Sequence, residues 1–199
     1  MRNAARIHAT AIIEPEVEIG PGSSVWDGVH VHGPSRIGEQ CVVGEKTYIA
    51  CGVEIGSRVK INASVYVCTG VRIEDRAMIS VGVVFTNDRH PRAFDPETGE
   101  LPSSDPDENT LATVVGEGAT IGAGAIIGPG IRIGAYAMVG MGSVVTRDVP
   151  AYGLVFGNPA RNQGFVCLCG TPLGRSQKSG RYRQPGEASC EQCGRRLAA

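Results

Sequence analysis

A short run in the middle of the chain, Asn87-Asp88-Arg89-His90-Pro91-Arg92, gathers an amide, a carboxylate, an imidazole and two guanidinium groups within six residues. Such groups can orient a nucleophile, take a proton from it and hold an anion. A second imidazole at His30, and the side chains of Glu45, Tyr48 and Tyr66, lie upstream. Downstream, Arg147 and Arg161 flank a Gly157-Asn158-Pro159-Ala160 segment. Phosphates are met by cations and exposed amides of this kind. Near the end, Cys167-Leu168-Cys169 and Cys190-Glu191-Gln192-Cys193 present four thiols. Four thiolates are the donor set of a closed tetrahedral zinc site, which is structural because it leaves no open position.

What must position these residues is a repeat. From Ile7, every sixth residue is Ile or Val through Ile79, and Phe85 follows in step. The series resumes at Val115, Ile121, Ile127, Ile133, Val139 and Val145. Ile and Val make up about a fifth of the chain, so chance does not give this. The residue four later is small or β-branched, as at Ser23, Cys41, Thr47, Val65, Ala77 and Ala119. The residue one later is often glycine, as at Gly20, Gly38, Gly44, Gly122 and Gly140, which we read as positive φ at a turn, with Asn62 as a substitute.

Each hexad therefore reads as a short strand and a turn, and three hexads close a triangular coil. The fold class expected is all-β, a parallel β-helix with Ile and Val stacked inside and coils about 4.8 Å apart. A β-sandwich would alternate with period two instead. Residues 18 apart then lie one above another. His30, Tyr48, Tyr66 and Val84 form one outward column, and Asp27, Glu45, Ala63 and Val81 a second. Cys51, Thr69 and Asn87 form a third, all three columns converging below the interruption of the repeat. The aromatic column can hold a flat ring or pack against another subunit.

That interruption, residues 86–114, holds four prolines and seven acidic residues against two arginines. A long loop without structure of its own inside a compact fold is functional or disordered. We therefore divide the chain into a β-helix over 1–160, with the 86–114 insertion, and a Cys-rich segment over 161–199. The latter carries seven Lys/Arg and two Asp/Glu, and with almost no core it would need a metal staple, the competing readings being free thiols or a metal-less hairpin. The net charge of −1 gives no case for nucleic acid, and no apolar run is long enough to span a membrane. With no apolar signal segment after Met1, the expectation is a cytoplasmic chain with reduced thiols.

The hexad pattern resembles the hexapeptide-repeat acyltransferase superfamily over roughly residues 7–160. That resemblance implies a left-handed helix, a homotrimer with active sites between subunits, and acetyl-CoA as co-substrate. Trimerisation also suits a thin prism that buries little surface alone. The stretch Val84-Phe85-Thr86-Asn87-Asp88-Arg89-His90-Pro91-Arg92-Ala93 is similar to the sugar-nucleotide N-acetyltransferases of the superfamily, supported by Ile73-Glu74-Asp75, Gly44-Glu45-Lys46-Thr47-Tyr48 and the segment around Trp26. It implies acetylation of an amino group, often at C3, of a UDP- or dTDP-linked sugar. On that reading Asn87 positions the amine and Asp88 accepts its proton, with His30 or His90 as alternative bases. Glu45, Tyr48, Tyr66 and Arg92 contact the sugar nucleotide. Gly122, Gly140, Arg147, Asn158, Pro159 and Arg161 meet coenzyme A, because the closing segment resembles the superfamily's own. Cys167, Cys169, Cys190 and Cys193 resemble a zinc ribbon, although one residue separates the first pair where ribbons have two to four.

The chain departs from these relatives at Val81, where dTDP-sugar enzymes often carry histidine, at Asn62-Ala63, and at Cys68. Roles borrowed from those positions would not exist here. Two alternatives stay open. One is an O-acetyl or serine-type acetyltransferase, which wants a clear histidine base near the loop. The other is a metal enzyme or a non-catalytic β-helix; of the four histidines, His8, His30, His32 and His90, no two lie one coil apart.

Overall fold

A computed structural model describes residues 4–101, 103, 105–174, 183, 185, 186 and 189–196. Among these the chain is all strand and turn, and it winds as a left-handed β-helix. Three parallel sheets form the sides of the prism. Successive coils pair at 18-residue steps, as Ile7 with Val25, Val25 with Val43 and Val43 with Ile61. Ile61, Ile79, Ile121 and Val139 continue that column up the first sheet. Strands are short because each side is only a few residues wide: His30–Val31 and Tyr48–Ile49 are typical. The inward Ile, Val and Phe85 side chains form one continuous core. Corner hydroxyls join it without polar cost. Ser23 Oγ donates to Gly38 O at 2.8 Å and accepts from Cys41 N at 3.0 Å, and Thr47 Oγ1 donates to Asn62 O at 3.0 Å.

The turns correct the sequence reading. Positive φ does not fall on Gly20, Gly38, Gly44 or Asn62. It falls two residues further on, at Gly22 (75°), Gln40 (57°), Lys46 (57°) and Ser64 (56°). The earlier glycines serve coil stacking instead. A Cβ on Gly38 would meet Gly56 C at 2.6 Å, and one on Gly44 would meet Asn62 C at 2.6 Å.

The insertion leaves the second sheet after Val84–Phe85 and returns to the third at Thr113–Val115. Its neck is closed by Leu111 N–H donating to Asn87 O at 2.8 Å. The helix ends in a hairpin: Gly153–Gly157 pairs parallel with Met138–Val139 and antiparallel with Ala160–Phe165. The expected division after residue 160 thus meets the start of a strand that belongs to the β-helix. Beyond it, Cys167, Leu173 and Cys190 pack on Tyr152 and Phe165. Parts of the 161–199 segment, 175–182 among them, lie outside the described residues. No helix of the described residues is long and apolar enough to cross a membrane.

The three outer faces differ. The third sheet carries Glu18, Arg36, Glu54 and Arg72 in register, with Arg36 on Glu18 at 3.7 Å and Arg72 on Glu54 at 3.8 Å. The second sheet presents Ile12, His30, Tyr48, Tyr66, Val84 and Ile126. This is the apolar face, and it is the one that leads up to the loop.

Candidate active site

A cavity of about 600 Å³ runs along the second sheet beneath the loop root. Tyr48 and Tyr66, one coil apart, lie face to face with centroids 5.1 Å apart and planes 5° apart. Burial pushes the Tyr66 phenol above its ordinary pKa. Cys51, Thr69 and Asn87 form the neighbouring column. Cys51 Sγ is 3.6 Å from Thr69 Oγ1, and Asn87 Nδ2 donates to Thr69 O at 3.3 Å. Thr86 donates to Ile127 O at 3.1 Å, which fixes the strand end from which Asn87 projects. Asp88 and Pro91 complete the rim. Asp88 Oδ1 accepts His90 N–H at 2.7 Å, so this oxygen shapes the loop. Two of the three stacked columns therefore meet below the loop, with an amide and a carboxylate at their upper end.

The third column does not join them. Glu45, Ala63 and Val81 line a separate hollow of about 400 Å³ with Trp26 and Asn62. These residues stand at the corner between the first and second sheets. The loop leaves from the opposite corner of the second sheet, and Glu45 is not among the residues lining the cavity of Tyr48 and Asn87. Arg6 lies over the Trp26 ring at 5.4 Å. His90 and Arg92 are exposed on the loop, where Arg92 Nη1 donates to Pro91 O at 3.1 Å.

His30 is not among the side chains lining the cavity; its Nε2 meets Glu14 Oε1 at 3.0 Å. His32, passed over in the sequence, does line it. Its ring is 4.9 Å from Tyr48 and 4.1 Å from His30, and its Nδ1 is 2.9 Å from the same Glu14 oxygen. Two signals were available: His30 and His32 share a strand face at a spacing of two, and Glu14 lies 18 residues before His32. The hydrogen bond from His30 holds the Glu14 carboxyl below its ordinary pKa.

At the far end, Arg147 and Arg161 share a hollow of about 210 Å³ with Asp148, Pro150 and Asn162. Asn158 and Pro159 form the two-residue turn of the hairpin, outside that hollow. Gly122 and Gly140 are spent on stacking. Their amides donate to Val139 O and Val155 O, each at 2.8 Å, so neither has an N–H left for a cofactor.

The four tail thiols converge. Cys167 Sγ is 3.6 Å from Cys193 Sγ, Cys169 Sγ is 3.7 Å from Cys190 Sγ, and all four sulfurs lie within 4.8 Å of one another. A zinc tetrahedron with ~2.3 Å bonds has edges of about 3.8 Å, so the donor set fits the ion. The hydrogen bond between Cys169 Sγ and Thr171 Oγ1, 3.3 Å, holds the Cys169 thiol down at about 6, whereas burial pushes the Cys167 thiol up to about 12.

Two family models match the chain: the bacterial transferase hexapeptide (six repeats) over residues 112–147, and the hexapeptide repeat of succinyl-transferase over residues 34–69. The dTDP-3-amino-3,6-dideoxy-alpha-D-galactopyranose 3-N-acetyltransferase of Aneurinibacillus thermoaerophilus is 51% identical over 61 residues, 31% of this chain and 32% of that protein. Serine acetyltransferase 4 of Arabidopsis thaliana is 33% identical over 154 residues, 77% of this chain and 29% of that protein. The matches thus span about a third of these relatives' own lengths. Among solved structures, the hexapeptide-repeat acetyltransferase of Vibrio cholerae complexed with acetyl coenzyme A superposes with a TM-score of 0.51 at 25% identity. That alignment covers 68% of this chain and 69% of the other.

Proposed function

We propose that this chain, a member of the hexapeptide-repeat superfamily, transfers an acetyl group from acetyl-CoA to the amino group, at C3, of a UDP- or dTDP-linked amino sugar. The observation that carries the reading is the cavity in which a stacked tyrosine pair leads up to Asn87 and Asp88 at the loop root. The 61-residue match to a dTDP-amino-sugar N-acetyltransferase supports the acceptor. The likeness to an acetyl-CoA complex supports the donor.

The chemistry asks little of the protein. The neutral amine attacks the thioester carbonyl, a C–N bond forms, and the oxyanion collapses with loss of coenzyme A thiolate. The amine's proton goes to the protein and the thiolate takes one up. Alignment of amine and thioester is the principal contribution. With Asn87 Nδ2 tied to Thr69 O, its Oδ1 is the acceptor that orients the amine N–H. Asp88 Oδ2 takes the proton, its Oδ1 being held by His90 N–H. The stacked tyrosines receive the flat or ring portion of the acceptor. Arg147 and Arg161 meet coenzyme A phosphates at the end of the helix.

Three copies assembled about the apolar second face would bury Ile12 and Ile126, which are exposed in a single chain, and would close the cavity between neighbours. The same assembly could bring Glu45 or Arg92 of one copy toward the cavity of another. The four cysteines hold one structural zinc, which ties the short tail to the end of the helix.

A hydroxyl acceptor is the second reading, favoured by the serine acetyltransferase match across 77% of the chain. Incubation with acetyl-CoA, a panel of UDP- and dTDP-amino sugars, and L-serine separates the two through release of free thiol. Rapid release with a 3-amino sugar nucleotide is expected. Release with serine alone would replace the acceptor, and a chain that binds no coenzyme A would not be an acetyltransferase of this kind.

A further inference from the structure

The proposed acyl transfer makes no use of the cluster at the lower end of the cavity. Glu14 lies just after the strand Ile12–Ile13, and His30 and His32 bracket Val31 on the coil above. The coil register fixes all three: Glu14 N–H donates to Val31 O at 3.0 Å and His32 N–H to Ile49 O at 2.9 Å. One carboxylate oxygen, Glu14 Oε1, stands 3.0 Å from His30 Nε2 and 2.9 Å from His32 Nδ1. The other, Oε2, accepts Gly33 N–H at 3.3 Å, which holds the carboxylate in place.

Two imidazoles and one carboxylate on a rigid backbone are the donors of a 2-His-1-carboxylate site. The spacing permits such a site. With metal–ligand bonds near 2.1 Å, neighbouring donors stand about 3.0 Å apart at right angles and about 3.4 Å apart in a tetrahedron. Two donor pairs 2.9 and 3.0 Å apart, with all three donor atoms within 4.8 Å of one another, can converge on one ion. All three residues are half-buried.

We propose that Glu14, His30 and His32 bind a single first-row divalent metal ion, at a site distinct from the Cys-rich tail. Imidazole nitrogens select zinc, copper, iron or nickel over magnesium or calcium. Ligation through Nδ1 would also fix the His32 tautomer, leaving its proton on Nε2. Because His32 lines the cavity with Tyr48, the ion adds positive charge at the end opposite Asn87. The two ends are separated by three coils, about 14 Å.

The test is calorimetric titration of nickel into the full chain carrying one equivalent of zinc, which the four thiolates take in preference, alongside thermal melts with and without nickel. One nickel per chain and a rise in Tm are expected. Glu14→Gln and His32→Ala should each weaken binding at least 100-fold and abolish the Tm rise. His8→Ala, at an exposed histidine outside the cluster, and Cys193→Ser should leave nickel binding unchanged. Far-UV circular dichroism checks that each variant retains the β-helix. Absence of nickel binding, or nickel binding that Glu14→Gln and His32→Ala leave unchanged, would overturn the assignment. Because the readout is metal binding, the result stands apart from whether the chain acetylates a sugar.

Discussion

Substituting alanine at Gly44 and, separately, at Gly124 tests the division of glycines into two kinds. A Cβ on Gly44 would lie 2.6 Å from Asn62 C and 2.7 Å from Ala63 N, both backbone atoms of the next coil. Reaching ordinary contact at 3.4 Å requires the coils to part by about 0.8 Å. The Gly44 N–H to Ile61 O bond, now 2.8 Å, would stretch to about 3.6 Å and be lost. An unsatisfied backbone pair costs about 1–3 kcal/mol and the overpacking strain about 1–3 more, so Gly44→Ala should destabilise by roughly 2–6 kcal/mol. Gly124 has φ of 66° but nothing within 4 Å of the added carbon. Its alanine variant meets only the left-handed backbone penalty, about 1–2 kcal/mol, at a type of position where Gln40, Lys46 and Ser64 already sit. Urea denaturation at fixed protein concentration, followed by circular dichroism, gives the two midpoints. Gly44→Ala as stable as Gly124→Ala would refute the stacking argument.

Other consequences follow from the same geometry. Asn87→Ala should lower kcat/KM about 100-fold by freeing the amine, with the circular dichroism spectrum unchanged; steady-state kinetics with the identified acceptor checks this. Chelation should release one zinc per chain, read by atomic absorption, and expose Cys167 and Cys190 to alkylation while the β-helix spectrum persists. In the native protein at pH 7.5, Cys41 and Cys68 should resist iodoacetamide, because burial raises both thiols, Cys68 to about 11. Half-exposed Cys51 should react, as peptide mass spectrometry would show. The Glu14 carboxyl is depressed in the folded state, so its contribution to stability is present above its ordinary pKa of 4.5 and fades as pH falls through the folded value. The Tm gap between wild type and Glu14→Gln in metal-free protein should therefore narrow as pH falls from 4.5 through the lowered folded value.

The inward columns were legible because Ile and Val recur at every sixth residue and tolerate no other interior. The stacks of His30, Tyr48 and Tyr66, and of Cys51, Thr69 and Asn87, followed from an 18-residue coil that nothing interrupts before residue 86. The glycine roles were misread because sequence spacing does not show how closely two backbones approach. That distance excludes a Cβ at Gly44, while positive φ falls at Lys46. Glu45 precedes Tyr48 by three residues on the same coil, which puts it at the corner before that strand and in a different hollow. The Glu14–His30–His32 cluster was missed because histidines were compared one coil apart. Two of its members are neighbours along a strand, and only Glu14 stands one coil from His32. The cysteines were legible despite the tight first pair, because the turn at Cys167–Gly170 brings Cys169 within 3.7 Å of Cys190.

The most direct test of the central claim is the acetyl-transfer rate with a nucleotide-linked 3-amino sugar, set beside its 3-hydroxy counterpart and measured for wild type and Asn87→Ala. The account predicts rapid coenzyme A release with the amino sugar, an amide in the product by mass spectrometry, little release with the hydroxy sugar, and about a 100-fold loss in the variant. Equal rates for the two acceptors, or a variant as fast as wild type, would contradict it.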